Sequence, residues 1–164
     1  MQPERNIELG ITMDKPRLPW IELSPQSFQA MTALNTTIAR SQLTPVLREL
    51  VRTRVSQMNG CAFGFDLHVR DLRDLGECWQ RINNVSTWRG VGLYDEQERA
   101  ALGWAEALTR LGDGCGDQDE AYFALKPYFT DEDIVDLTWL VAATNTWNRV
   151  AIGMRIPPST HPLD

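Results

Sequence analysis

Apolar residues recur along this chain at helical spacing, and no run of alternating β-branched residues bounded by turn signals interrupts them. The pattern predicts an all-α fold, a bundle of about six to seven helices. Ser24-Pro25 opens a first helix over about 25–40, and Thr44-Pro45 opens a second over about 45–58. The second is expected to bury Leu47, Leu50, Val51, Val55 and Met58 on one face before Asn59-Gly60 breaks it. A third runs from near Cys61 to Gly76 and is expected to bury Leu67, Leu72 and Leu75. A fourth, about 77–87, carries Cys78, Trp79 and Ile82. A fifth starts at Asp95, with Glu98 as capping-box partner, and continues through Leu102, Ala105, Leu108 and Leu111. After a glycine-rich loop at 112–116 comes a short helix, about 118–126. The last helix starts at Thr130, boxed by Asp133, and reaches about Arg155. Its centre, 137–143, is apolar nearly all round, which predicts burial inside a bundle or across a subunit interface.

Proline placement agrees with this reading, because six of the nine prolines lie in the first nineteen or last eight residues. Residues 1–164 read as a single domain, with an extended arm at 1–22 and a tail at 157–164. An apolar share of 43% in 164 residues is enough for a buried core and excludes bulk disorder. The net charge of −6 argues against a general nucleic-acid binder. No stretch approaches the roughly 18 apolar residues of a membrane span. Without a secretory signal in the first residues, the three cysteines read as reduced thiols in the cytoplasm. Nothing resembles a phosphate loop, a metal-ligand set or a dinucleotide fingerprint, so no metal or cofactor is expected.

The densest reactive cluster is Asn59 to His68. Cys61 falls at the start of the third helix, where free N–H groups and the helix dipole favour a thiolate. His68 lies two turns on, close to the same face. Two readings of this pair stand level: a reactive thiol with a nearby base, or a buried small hydrophobe with a satisfied core histidine. Glu49 points away from the Leu47/Val51/Val55 stripe together with Arg48, Arg52 and Ser56, a pattern that usually marks a solvated face. Trp79, Trp88, Trp104, Trp139 and Trp147 fall where core packing accounts for them.

Arg48 through Cys61, followed by Asp66-Leu67-His68, resembles the carboxymuconolactone decarboxylase and alkyl hydroperoxidase D superfamily, most closely its short single-domain hydroperoxidase-type members. The likeness continues through Ser86-Thr87-Trp88-Arg89, Glu98 to Leu102, Ala105 to Thr109 and Asn145 to Arg149, and spans about 45–158. The resemblance implies an all-α fold assembling as a homo-trimer or homo-hexamer. It also implies a glutamate, a Cys-x-x-Cys pair and a histidine as the catalytic set. In that set the second cysteine reduces peroxide, the first closes a disulfide with it, and glutamate and histidine relay the proton. By position, Glu49, Cys61 and His68 match. The second cysteine is replaced by Gly64, so the usual thiol cycle cannot run as written. The spacing of Cys78 and Cys115 offers no support for either as a resolving thiol.

The leading expectation is therefore a hydroperoxidase-type oxidoreductase with a weakened or altered site, acting on a peroxide or other small organic substrate with a thiol reductant. The alternatives are an acid–base enzyme of the decarboxylase kind using Glu49 and His68, or a non-catalytic binding or assembly protein. Glu49, Cys61 and His68 are expected to converge on a pocket floored by Gly64, with room for a ligand, and Cys61 is expected to be the most reactive thiol.

Overall fold

The computed structural model describes residues 15–112 and 118–163. Among the described residues the regular structure is entirely helical. The elements are α1 (Trp20–Leu23), α2 (Pro25–Ala39), α3 (Pro45–Asn59), α4 (Ala62–Asp74), α5 (Trp79–Asn84), a 3-10 segment (Val85–Gly90), α6 (Glu96–Thr109), α7 (Gln118–Leu125) and α8 (Asp131–Met154). The arm expected to be extended through residue 22 thus turns into the single helical turn of α1.

Local chemistry sets the boundaries. Thr44 accepts the Leu47 N–H at 3.2 Å and Pro45 takes the first helical position, so α3 starts there. Gly60 ends it in the left-handed region at φ 64°, which a side chain would resist, and turns the chain into α4. Reciprocal capping boxes start α6 (Asp95 with Glu98) and α8 (Thr130 with Asp133), as the spacing predicts. At the far end of α8, the Arg17 N–H bonds the Met154 carbonyl at 2.8 Å, and the Arg17 guanidinium bonds the Gly153 carbonyl at 2.5 Å. That segment supplies partners for carbonyls that a helix terminus leaves free.

The central element is α3, which works as a wedge between two apolar clusters. Leu47, Val51 and Val55 join Trp104, Leu137, Leu140 and others from α6 and α8. Leu50 faces the other way, into a cluster with Val69, Leu72, Ile82, Val85 and Leu102. The expected single stripe on this helix is thus split in two. Each fully buried leucine of this kind contributes roughly 1.5–3 kcal/mol. Glu106 ties the elements together, accepting from Arg54 of α3 at 2.6 Å, from the Trp88 indole at 2.9 Å and from Arg89.

Several expected core residues lie outside. Leu67 is exposed because it sits about 140° around α4 from the buried Leu72, at 100° per residue. Leu75 and Leu111 are exposed because their helices have already ended, at Asp74 and Thr109. Trp79 is exposed, with the Arg73 guanidinium 4.9 Å from its ring centre. Trp139 is 54% exposed on α8, with Val135 beside it, so this helix keeps one open apolar side. The glycine-rich loop and Cys115 fall largely outside the described residues.

Candidate active site

The site lies in the seam between α3 and α4. Glu49, Thr53 and Ser56 follow one another at helical spacing, and all three are buried rather than solvated. His68 of α4 meets the first of them: its Nδ1 is 2.9 Å from Glu49 Oε2. The second carboxylate oxygen accepts from Arg52 at 2.5 Å. Burial alone would raise the Glu49 carboxyl, but the His68 hydrogen bond and the Arg52 charge outweigh it and hold it below its ordinary value. Glu49 is therefore a carboxylate at neutral pH, and Nδ1 must carry the proton it donates. That fixes the tautomer and leaves Nε2 of a neutral His68 with the lone pair, the atom able to take or give a proton.

Cys61 is not part of this pair. It is the N-cap of α4, buried, and its sulfur accepts the Gly64 N–H at 3.3 Å. Burial pushes its thiol up, and the donors around it, the Gly64 and Phe63 amides and the Asn148 side chain, do not reverse the shift. Burial thus opposes the thiolate that the helix start favours. Cys78, by contrast, is exposed.

The space beside Gly64 is filled by side chains. A Cβ built there would meet Asn148 Nδ2 and Ser56 Oγ at 2.7 Å each, and Cys61 Sγ at 3.3 Å. Those groups form a network: Asn148 donates to Ser56 at 3.1 Å, and Asn59 donates to Asn148 at 2.9 Å and to Asn145 at 3.0 Å. Sequence reasoning gave no role to Ser56, Thr53, Asn145 or Asn148. Asparagines three residues apart, just past the apolar centre of α8, were the available signal.

Asp71 stands 4.0 Å from His68 Nδ1, and burial together with the Glu49 charge raises its carboxyl. Ligand atoms of Glu49, His68 and Asp71 lie within 4.8 Å of one another, a spacing compatible with a cation. However, Arg52 and His68 already occupy both Glu49 oxygens, so the donor set fits a hydrogen-bonded pair better than a metal centre. Two open clefts lie elsewhere, one of about 790 Å³ beside Trp88 and Glu106, the other of about 900 Å³ beside Asn59, Asn145 and Arg149. Neither is lined by Glu49, Cys61 or His68.

A sequence model described as the carboxymuconolactone decarboxylase family matches residues 25–107, half of the chain, and that stretch holds Glu49, Cys61, Gly64 and His68. The chain belongs to this family, in the alkyl hydroperoxidase D-like superfamily. It is similar to the uncharacterized protein YdfG of Bacillus subtilis strain 168, 35% identical over 138 residues that cover 84% of this chain and 93% of YdfG. It also superposes, at a TM-score of 0.82 and 41% identity, on a protein of unknown function from Agrobacterium tumefaciens provisionally named antioxidant defence protein AhpD. That match covers 92% of this chain and 100% of the other. The debrominase Bmp8 shares the fold at a TM-score of 0.76 with 18% identity, over 85% of this chain and 75% of its own. Among the described residues, no helix is long and apolar enough to cross a membrane.

Proposed function

We propose that this protein is an acid–base enzyme of the superfamily acting on a small organic molecule. In this reading His68 moves the proton and Glu49 orients it. The observation that carries the reading is the 2.9 Å Glu49–His68 bond, with Glu49 held as a carboxylate. A carboxylate on Nδ1 holds the ring and stabilises the imidazolium while it exists. In a decarboxylation, the carbon–carbon bond breaks, carbon dioxide leaves, and the electron pair remains on the substrate carbon. His68, protonated at Nε2 by solvent beforehand, gives that proton to the carbon and is left as the neutral ring bonded to Glu49. The filled space at Gly64 and the raised thiol of Cys61 weigh against reduction of peroxide by a thiolate.

A second reading keeps an antioxidant role through Cys61 alone. It is favoured by the three donors around the sulfur, which stabilise a thiolate once formed, and by the name given to the Agrobacterium relative. In it, the thiolate attacks a peroxide oxygen, the O–O bond breaks, and the departing hydroxide or alkoxide takes a proton from solvent. Two external thiols (or one dithiol) then reduce the sulfenic acid back to the thiol, giving water and their own disulfide. Under either reading we place the protein in the cytoplasm, as the free thiols of Cys61 and Cys78 support, and as a homo-oligomer, trimer or hexamer.

The test is parallel assay of wild type, His68→Ala and Cys61→Ser. One arm follows carbon dioxide release from carboxymuconolactone, the other hydrogen peroxide consumption with dithiothreitol. Decarboxylation lost in His68→Ala and kept in Cys61→Ser is the expected result. Peroxide consumption abolished by Cys61→Ser would overturn the acid–base reading in favour of the second.

A further inference from the structure

The α3–α4 seam holds a buried hydroxyl that no neighbour satisfies. Thr53 is fully buried, and its Oγ1 has no hydrogen-bond partner. This is not how threonines behave in the rest of the described helices. Thr32, Thr36, Thr37, Thr109, Thr138, Thr144 and Thr146 each donate to the carbonyl four residues back. That local bond is available to any helical threonine. Thr53 forgoes it. An unpaired hydroxyl away from water costs free energy comparable to a lost hydrogen bond, so its persistence calls for a polar partner.

The location of Thr53 narrows the choice of partner. It follows Glu49 by four residues and precedes Ser56 by three, which puts all three within about 60° of arc on α3. Glu49 meets His68, and Ser56 Oγ lies 2.7 Å from where a Cβ of Gly64 would stand. By this spacing Thr53 lies on the α3 side of the seam, between the residue that meets His68 and the residue that closes on Gly64. The groups on either side already have their partners: Glu49 with Arg52 and His68, Ser56 with Asn148.

We propose that Thr53 is a positioning residue of this site, its hydroxyl holding a small oxygen-bearing molecule, water or the oxygen of a substrate, beside His68. The inference rests on reading Glu49–His68 as the working pair. It adds the group that places the reacting oxygen within reach of the imidazole.

The experiment compares wild type, Thr53→Val and Thr53→Ser of the full chain. Valine keeps the shape and removes the hydroxyl, whereas serine keeps the hydroxyl. Crystal structures are expected to show an ordered oxygen within hydrogen-bond distance of residue 53 in wild type and Thr53→Ser, and none in Thr53→Val. A crystal soaked in carboxymuconolactone separates the two sources: a substrate oxygen replaces the water, or the water stays. The second measurement is acylation of His68 by diethyl pyrocarbonate, followed by peptide mapping, with the exposed His161 as internal control. Thr53→Val should change the His68 rate about threefold or more, the range of one hydrogen bond, while Thr53→Ser should match wild type. Thr53 Oγ1 bonded to the Glu49 carbonyl, or a His68 rate unmoved by Thr53→Val, overturns the proposal. Neither readout needs turnover, so a protein that decarboxylates nothing yet shows the bound oxygen and the altered His68 rate would sink the proposed function and leave Thr53 in its role.

Discussion

Gly64 is the residue on which this site turns. Its missing side chain is occupied space, because Asn148 and Ser56 close over it. Gly64→Ala is therefore expected to cost about 1–3 kcal/mol, the scale of overpacking in a well-filled core. In a Ser56→Ala background the loss should be smaller, a coupling that urea denaturation of the four proteins measures directly. Glu49 has its own signature in pH. Its folded pKa lies below the ordinary 4.5, so the stability it contributes is full above that pH and is lost as pH falls through the folded value. Glu49→Gln should destabilise the protein at pH 7 by about 1–3 kcal/mol, since it breaks a buried charged hydrogen-bond pair. The gap between variant and wild type should close in melts below about pH 4.5. Asp71 has the opposite sign: its carboxyl is raised from 3.8, so its ionisation opposes folding once pH exceeds that value. Asp71→Asn is expected to stabilise the protein at neutral pH by about 0.5 kcal/mol, modestly because the side chain is partly solvated.

At the scale of elements, α3 carries three different tasks on three sides. Leu47, Val51 and Val55 serve one apolar cluster, Leu50 serves the other, and Glu49, Thr53 and Ser56 supply the polar seam. Its start, its end and its helical nature were legible in Thr44-Pro45 and Asn59-Gly60, because caps and breakers act within a few residues. That its polar row is buried was not legible, because periodicity registers a polar face without registering what covers it. The helix α8 begins at a capping box formed by Thr130 and Asp133. Thr130→Ala should cost about 1 kcal/mol in chemical denaturation, the usual worth of such a cap, and leave the His68 chemistry untouched.

For the whole molecule, the open side of α8 is the telling surface. Trp139 and Val135 are more than half exposed on a helix whose other faces are buried among Leu137, Leu140 and Val141. Sedimentation at micromolar concentration is expected to find an assembly, and Trp139→Glu to shift it toward the single chain while circular dichroism stays helical. An unchanged sedimentation profile for that variant would move the interface elsewhere.

The helical class and nearly every helix start could be read from residues alone, because these depend on short-range chemistry, whereas the choice of Glu49 as partner of His68 came only through the family resemblance. The fate of Cys61 could not be read from residues alone. A helix start argues for a thiolate, and only the packing of α3 and α8 around the sulfur supplies the burial that opposes it. The same holds for Gly64, Ser56 and Asn148, which lie up to 92 residues apart in the chain and meet in one place. Their meeting depends on how three helices pack, and no local pattern encodes that.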